Sequence, residues 1–100
     1  MKKEILLEFN QKIAGLAGNS FGQQTFMEQV EKNIDINAEN IIVFPEYIER
    51  VAISFTQGMI QKLVNKYGLD KTKTIISFRT RTPYLSAKIN FDMDLTIYEH

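Results

Sequence analysis

Hydrophobic and polar residues follow one another along the chain with a period that changes, and each change marks an element. Residues 3–9, KEILLEF, form a short run with an apolar centre and the character of a strand. A looser stretch follows, with Gly15, Gly18 and Gly22 and no sustained period. Phe26, Val30 and Ile34 then recur at i, i+4 and i+8 with Met27 beside them, which predicts an amphipathic helix over 22–34. Ser20 and Gln23 stand ahead of it at capping-box spacing. The run NIIVF at 40–44 is short, β-branched and stopped by Pro45. Its lost alternation predicts a strand covered on both faces. From Phe55 the positions Met59, Ile60, Leu63, Val64 and Tyr67 make a helical stripe that ends at Gly68, a predicted helix over 55–67. Gly58 inside it costs about 1 kcal/mol against alanine, so either close packing requires it or the helix is weak there.

Beyond a charged turn, Ile76 and Phe78 alternate with Ser77, Arg79 and Arg81, which predicts a strand; Pro83 then interrupts the chain. Finally Ala87, Ile89, Phe91, Met93, Leu95 and Ile97 alternate without a miss against Lys88, Asn90, Asp92, Asp94 and Thr96. This pattern predicts a long strand over 86–98 with one face buried. Its connection to the preceding strand is too short for a crossover, so the two form an antiparallel hairpin. The expected fold is α/β: a single small domain over 1–100 in the order β-α-β-α-β-β. It has a mixed sheet, two helices packed on it and a C-terminal antiparallel hairpin. One alternative stays open. Pro45 suits a first helical turn, and Tyr47, Ile48, Val51 and Ala52 extend the second stripe backward, allowing a single helix from 46 to 67.

Composition narrows the function classes. A chain of 100 residues buries enough surface for one core without staples. The lack of cysteine excludes a disulfide framework and thiolate metal sites, and suits a cytoplasmic setting. The N-terminal lysines precede only a short apolar run, broken by Glu4 and Glu8, which fits neither a secretion signal nor a membrane span. Twelve basic and twelve acidic residues cancel, so no global field draws the chain to nucleic acid or anionic lipid. Richness in Ile, Asn and Lys points to AT-rich coding, as in a low-GC bacterium or its phages.

Few positions are equipped for chemistry. Ser54, in ERVAISFTQGM (49–59), lacks the base that a nucleophile needs, because the one histidine is His100 at the chain end. No Gly-x-Ser-x-Gly elbow is present. Asp92 and Asp94, with Glu99 nearby, share one polar face of the predicted strand. They offer too few oxygens for a calcium loop, and the expectation is no metal and no cofactor. GLAGNSFG is rich in glycine before a helix but lacks the Walker lysine and the dinucleotide spacing. Lys71, Lys73, Arg79 and Arg81, with Lys88 across the hairpin, are the one basic concentration. Phe78 faces away from them, which argues against nucleic-acid binding. Gln57 stands three residues after Ser54, so Ser54 reads as a helix cap, in a place that also suits an added phosphate.

The segments GNSFGQQTF and ENIIVFPEYIERVAISFTQGMIQKLV, with IERVAISF as the carrying piece, resemble the STAS-like domain family of unknown function, related to the anti-sigma-factor antagonists. The resemblance implies a partner switch. A bare helix end docks another protein, such as a kinase- or ATPase-type regulator, and phosphate on the serine opening that helix repels it. By position that serine, the candidate phosphosite, is Ser54. The chain departs from the family pattern at Phe44 and Ala52, where aspartate is usual, at Pro45, where phenylalanine is usual, and at Tyr47 and Phe55, where glycine is usual. It departs also in the predicted strand 86–98, where a helix is usual; the lost acidic residues favour constitutive binding. The expected function is therefore a non-enzymatic protein-interaction module. Its partner-binding residues would be Tyr47, Ile48, Arg50, Ser54 and Gln57 around the start of helix 55–67. The alternative is a self-associating structural or phage-encoded inhibitor protein, forming a homodimer through its long C-terminal edge strand.

Overall fold

The computed structural model describes residues 2–95. In chain order they form β1 (Lys2–Leu6), β2 (Gly15–Leu16), α1 (Asn19–Thr25), β3 (Glu39–Val43), β4 (Arg50–Val51), α2 (Ile53–Tyr67), α3 (Leu69–Ile75), β5 (Ile76–Arg79) and α4 (Pro83–Leu95). α1 runs directly into a π-helical turn, Phe26–Val30, closed by the Glu31 N–H donating to the Phe26 carbonyl at 2.8 Å. The main sheet has the order β1-β3-β5, and every pair in it is parallel. β2 and β4 make a separate two-residue parallel ladder.

Alternation in the three sheet strands sets the core. Ile5, Ile42 and Phe78 lie in one row across the sheet, and all are buried. Leu7, Phe44, Asn40 and Ile76 face the same way. Within this sheet each strand lies beside the one that follows it in the chain, and the two crossovers place α1 and α2 on one face, with α4 beside α2. The opposite face carries Glu4, Leu6, Ile41, Val43, Ser77 and Arg79, none of them buried. There the Arg79 guanidinium reaches over β3 to Glu4 at 2.7 Å.

The helical layer is held by an unusually close crossing of α1 and α2. A Cβ added at Gly58 would meet the Asn19 carbonyl oxygen at 2.1 Å, and one at Gly22 would meet the Phe55 carbonyl oxygen at 2.2 Å. Close packing is thus the reason for Gly58. Beneath the crossing, Phe55 touches Phe9, Phe21 and Phe44 edge-on or tilted, and Phe44 continues to Phe78. Buried Asn40 ties the loop before β3 to the end of α3. Its amide donates to the carbonyls of Asp35, Ala38 and Ile75 and accepts from the Asp35 N–H.

Several expectations are corrected. Among the described residues the sheet is parallel rather than mixed, the expected order β-α-β-α-β-β is not found, and no C-terminal antiparallel hairpin is present. Residues 83–95 form α4, not a strand; residues 96–98 of the expected strand lie outside the described residues. The alternation arises because α4 is apolar on two sides. Leu85, Ile89 and Met93 face the core, while Tyr84, Ala87 and Phe91 face out. Thr82 and Pro83 were the local signal of a helix start. The Thr82 hydroxyl accepts the Leu85 N–H at 3.1 Å, and proline fits the first helical position. α3 replaces the expected charged turn at 70–74, restarting from Gly68 at φ 85. α2 begins at Ile53, after a turn at 46–47 closed by the Ile48 N–H on the Pro45 carbonyl and after β4, so a helix from 46 is excluded.

Candidate functional site: the α2 N-terminus and its groove

Two loops at the carboxyl ends of β1 and β3 shape this region. Ala14 accepts the N–H groups of Glu49 and Arg50, and Leu16 accepts that of Ala52, which stitches β2 to β4. Chain direction then turns at Ala52, extended at φ −74 and ψ 150, into the first turn of α2. The carboxyl ends of parallel strands are where open α/β sheets leave a crevice. Here that crevice is a groove of about 640 Å³, lined by Gly15–Ala17, Glu49–Ala52 and, from α4, Tyr84, Leu85 and Lys88.

The five expected partner-binding residues are not equivalent. Arg50 is exposed on the groove, with its guanidinium so near Gly15 that a Cβ there would meet Nη2 at 3.3 Å. Ser54 is half-buried in the first turn of α2 and does not cap it. Its hydroxyl instead accepts the N–H of Gly18 at 2.9 Å, the residue that starts α1. Ser54 therefore ties the beginnings of both helices together. Gln57 is half-buried one turn further on. Tyr47 is half-buried, and its hydroxyl both donates to the Phe9 carbonyl and accepts the Phe9 N–H. Ile48 is 1% exposed and belongs to the core. Ser20 likewise does not cap α1; Gly18 at φ 100 takes that place.

Sequence reasoning missed the α4 wall, because that segment read as a strand. Lys88 reaches across to the Val51 carbonyl at 2.7 Å and to the Asp92 carboxylate at 2.6 Å. It thus clasps α4 to β4 while its charge stays balanced by a carboxylate that is 5% exposed. Tyr84 stands over the groove at 83% exposure. Asp92 and Asp94 do not share a face: Asp92 turns inward to Lys88, and Asp94 pairs with Lys73, whose ammonium is held above the usual lysine range by that hydrogen bond. Among the described residues no cluster of three histidine, cysteine or acidic residues could hold a metal ion, and no helix is long and apolar enough to cross a membrane. The groove thus offers hydrogen bonds, one exposed guanidinium and aromatic surface, without a paired base and nucleophile. Comparison with protein-family models, curated proteins and solved structures returned no match.

Proposed function

We propose that this protein is a non-enzymatic interaction module that docks another protein at the beginning of α2 and the groove beside it. One observation carries the reading: an open groove of about 640 Å³ adjoins the first turn of α2 and is walled by exposed Tyr84 and Arg50. Exposed aromatic and arginine side chains around a concave apolar surface are the composition of energetic anchors at protein interfaces. The reading keeps the place expected from the STAS-like resemblance and changes the residues. Arg50, Tyr84 and the exposed edges of Ser54 and Gln57 make the contact, while Tyr47 and Ile48 support it from below.

Binding is constitutive. Phosphate on Ser54 would displace the Gly18 N–H from the hydroxyl that accepts it, and so would pull apart the starts of α1 and α2. The test is affinity capture with mass spectrometry, using wild type, Arg50→Glu, Tyr84→Ala, Ser54→Glu and a Met27→Glu control on a different groove. A partner retained by wild type and the control, and lost by the first two variants, supports the module. Equal recovery by all five chains rejects it.

A further inference from the structure

Helix α4 has more apolar surface than its own domain covers. Leu85, Ile89 and Met93, spaced i, i+4 and i+8, are buried. Tyr84, Ala87 and Phe91, spaced i, i+3 and i+7, form a second stripe on the outer side. Tyr84 is 83% and Phe91 59% exposed, and Ala87 between them is exposed as well. A surface helix ordinarily keeps its outer side polar, and an aromatic stripe there marks a contact.

We propose that the outer stripe of α4 packs against the same stripe of a second copy, antiparallel about a two-fold axis beside Ala87. The stretch from Arg81 to Asp94, α4 with the two residues ahead of it, is self-complementary in that arrangement. Placing Tyr84 on Phe91 of the second copy puts Arg81 beside Asp94 of that copy, because both pairs share a midpoint between Ala87 and Lys88. Arg81 is exposed and has no ion-pair partner among the described residues. The Asp94 side chain is 46% exposed beside Lys73 and open to a second cation. A two-fold contact uses each pair twice, so two aromatic contacts and two charge pairs flank a crossing at which Ala87 allows close approach. Self-association thus runs through a helix face, and not through the edge strand that the alternating pattern suggested. Tyr84 belongs to both surfaces, but Phe91, Arg81 and Asp94 lie outside the groove assigned to partner docking, so variants at these three test the self-contact apart from it.

Sedimentation equilibrium or multi-angle light scattering of the full chain tests the proposal. Wild type should pass from monomer to dimer as concentration rises. Phe91→Glu should weaken association at least about tenfold with the circular dichroism unchanged. Arg81→Asp should weaken it also, and adding Asp94→Arg to that chain should restore it. The protein has no cysteine, so Ala87→Cys supplies a second readout: copies should cross-link on oxidation far faster than those of Met27→Cys. A wild type that stays monomeric, with Ala87→Cys no faster than Met27→Cys, overturns the proposal. So does a dimer that Phe91→Glu leaves intact, or a monomer whose Phe91→Glu variant loses a different bound protein.

Discussion

At the scale of single residues, backbone contact outweighs helix propensity in the middle of α2. Replacing Gly58 by alanine would raise the intrinsic stability of an isolated helix by about 1 kcal/mol. In this protein the new methyl group would stand 2.1 Å from the Asn19 carbonyl oxygen and 2.9 Å from the Gln23 nitrogen, both backbone atoms that cannot rotate away. The strain of overpacking, about 1–3 kcal/mol and more against backbone, exceeds the gain. Gly58→Ala should therefore lower stability by about 2 kcal/mol in urea denaturation, and Gly22→Ala similarly. Two residues earlier on the same helix the sign reverses. The Thr56 hydroxyl is buried without a hydrogen-bond partner among the described residues, at a cost of about 1–3 kcal/mol. Thr56→Val keeps the shape and removes the orphan group, so its melting temperature should equal or exceed that of wild type. Ser54 belongs to this scale too. Its position was legible, but its partner was not, because a cap and a bridge to Gly18 differ only in which distant loop arrives beside it.

At the scale of elements, legibility follows whether one pattern admits one geometry. Strand β1 could be read from its apolar centre, β3 from its β-branched run and β5 from its alternation, and the stripe of α2 from its period. That the sheet stops at three parallel strands could not be read, since it depends on whether residues 83–95 form a strand or a helix. Period-two alternation over 87–95 fits a strand with one buried face, and it fits equally a helix whose apolar residues lie on two opposite sides. Only Thr82 and Pro83 favoured the helix locally. What fixes α4 is tertiary: the Asn90 amide accepts the Phe78 N–H at 3.0 Å and donates to the Phe78 carbonyl at 2.9 Å, as a neighbouring strand would. Ser86 likewise accepts the Thr80 N–H at 2.8 Å. The candidate site was legible to the same extent. Arg50 and Ser54 could be singled out because they lie beside the α2 stripe, whereas the alternation places Lys88 in a strand and Tyr84 in the connection before it. If Asn90 takes the place of a strand partner, Asn90→Ala should cost about 1–3 kcal/mol by leaving two backbone groups of β5 unpaired. Amide hydrogen exchange at Phe78 should quicken beyond the change in global stability; unchanged relative protection there would refute the clasp.

At the scale of the whole molecule, the two sheet edges are managed by different means. The β5 edge is closed by α4. Among the described residues no element covers the β1 edge, and because Leu7 donates inward to Val43, the backbone groups of Lys2, Glu4 and Leu6 point outward in the alternating parallel pattern. Leu6, 70% exposed, also lies on the sheet face that carries none of the described helices. Such a strand is a template for edge-to-edge pairing unless charge opposes it. Lys2, Lys3 and Glu4 supply that charge, all three exposed on a strand of five residues. Glu4 has a second task in its contact with Arg79, but an exposed ion pair adds only about 0–1 kcal/mol, so repulsion at the edge is the larger effect of these residues. Replacing Lys2 and Glu4 together by valine should leave the circular dichroism intact and shift the melting temperature by only a few degrees. Light scattering should nevertheless rise with concentration and time, beyond any dimer that wild type forms through α4. Adding Phe91→Glu separates the two surfaces: it should abolish the dimer and leave the aggregation of the valine variant unaffected. If the valine variant stays as monodisperse as wild type, the edge is protected by something other than its charges.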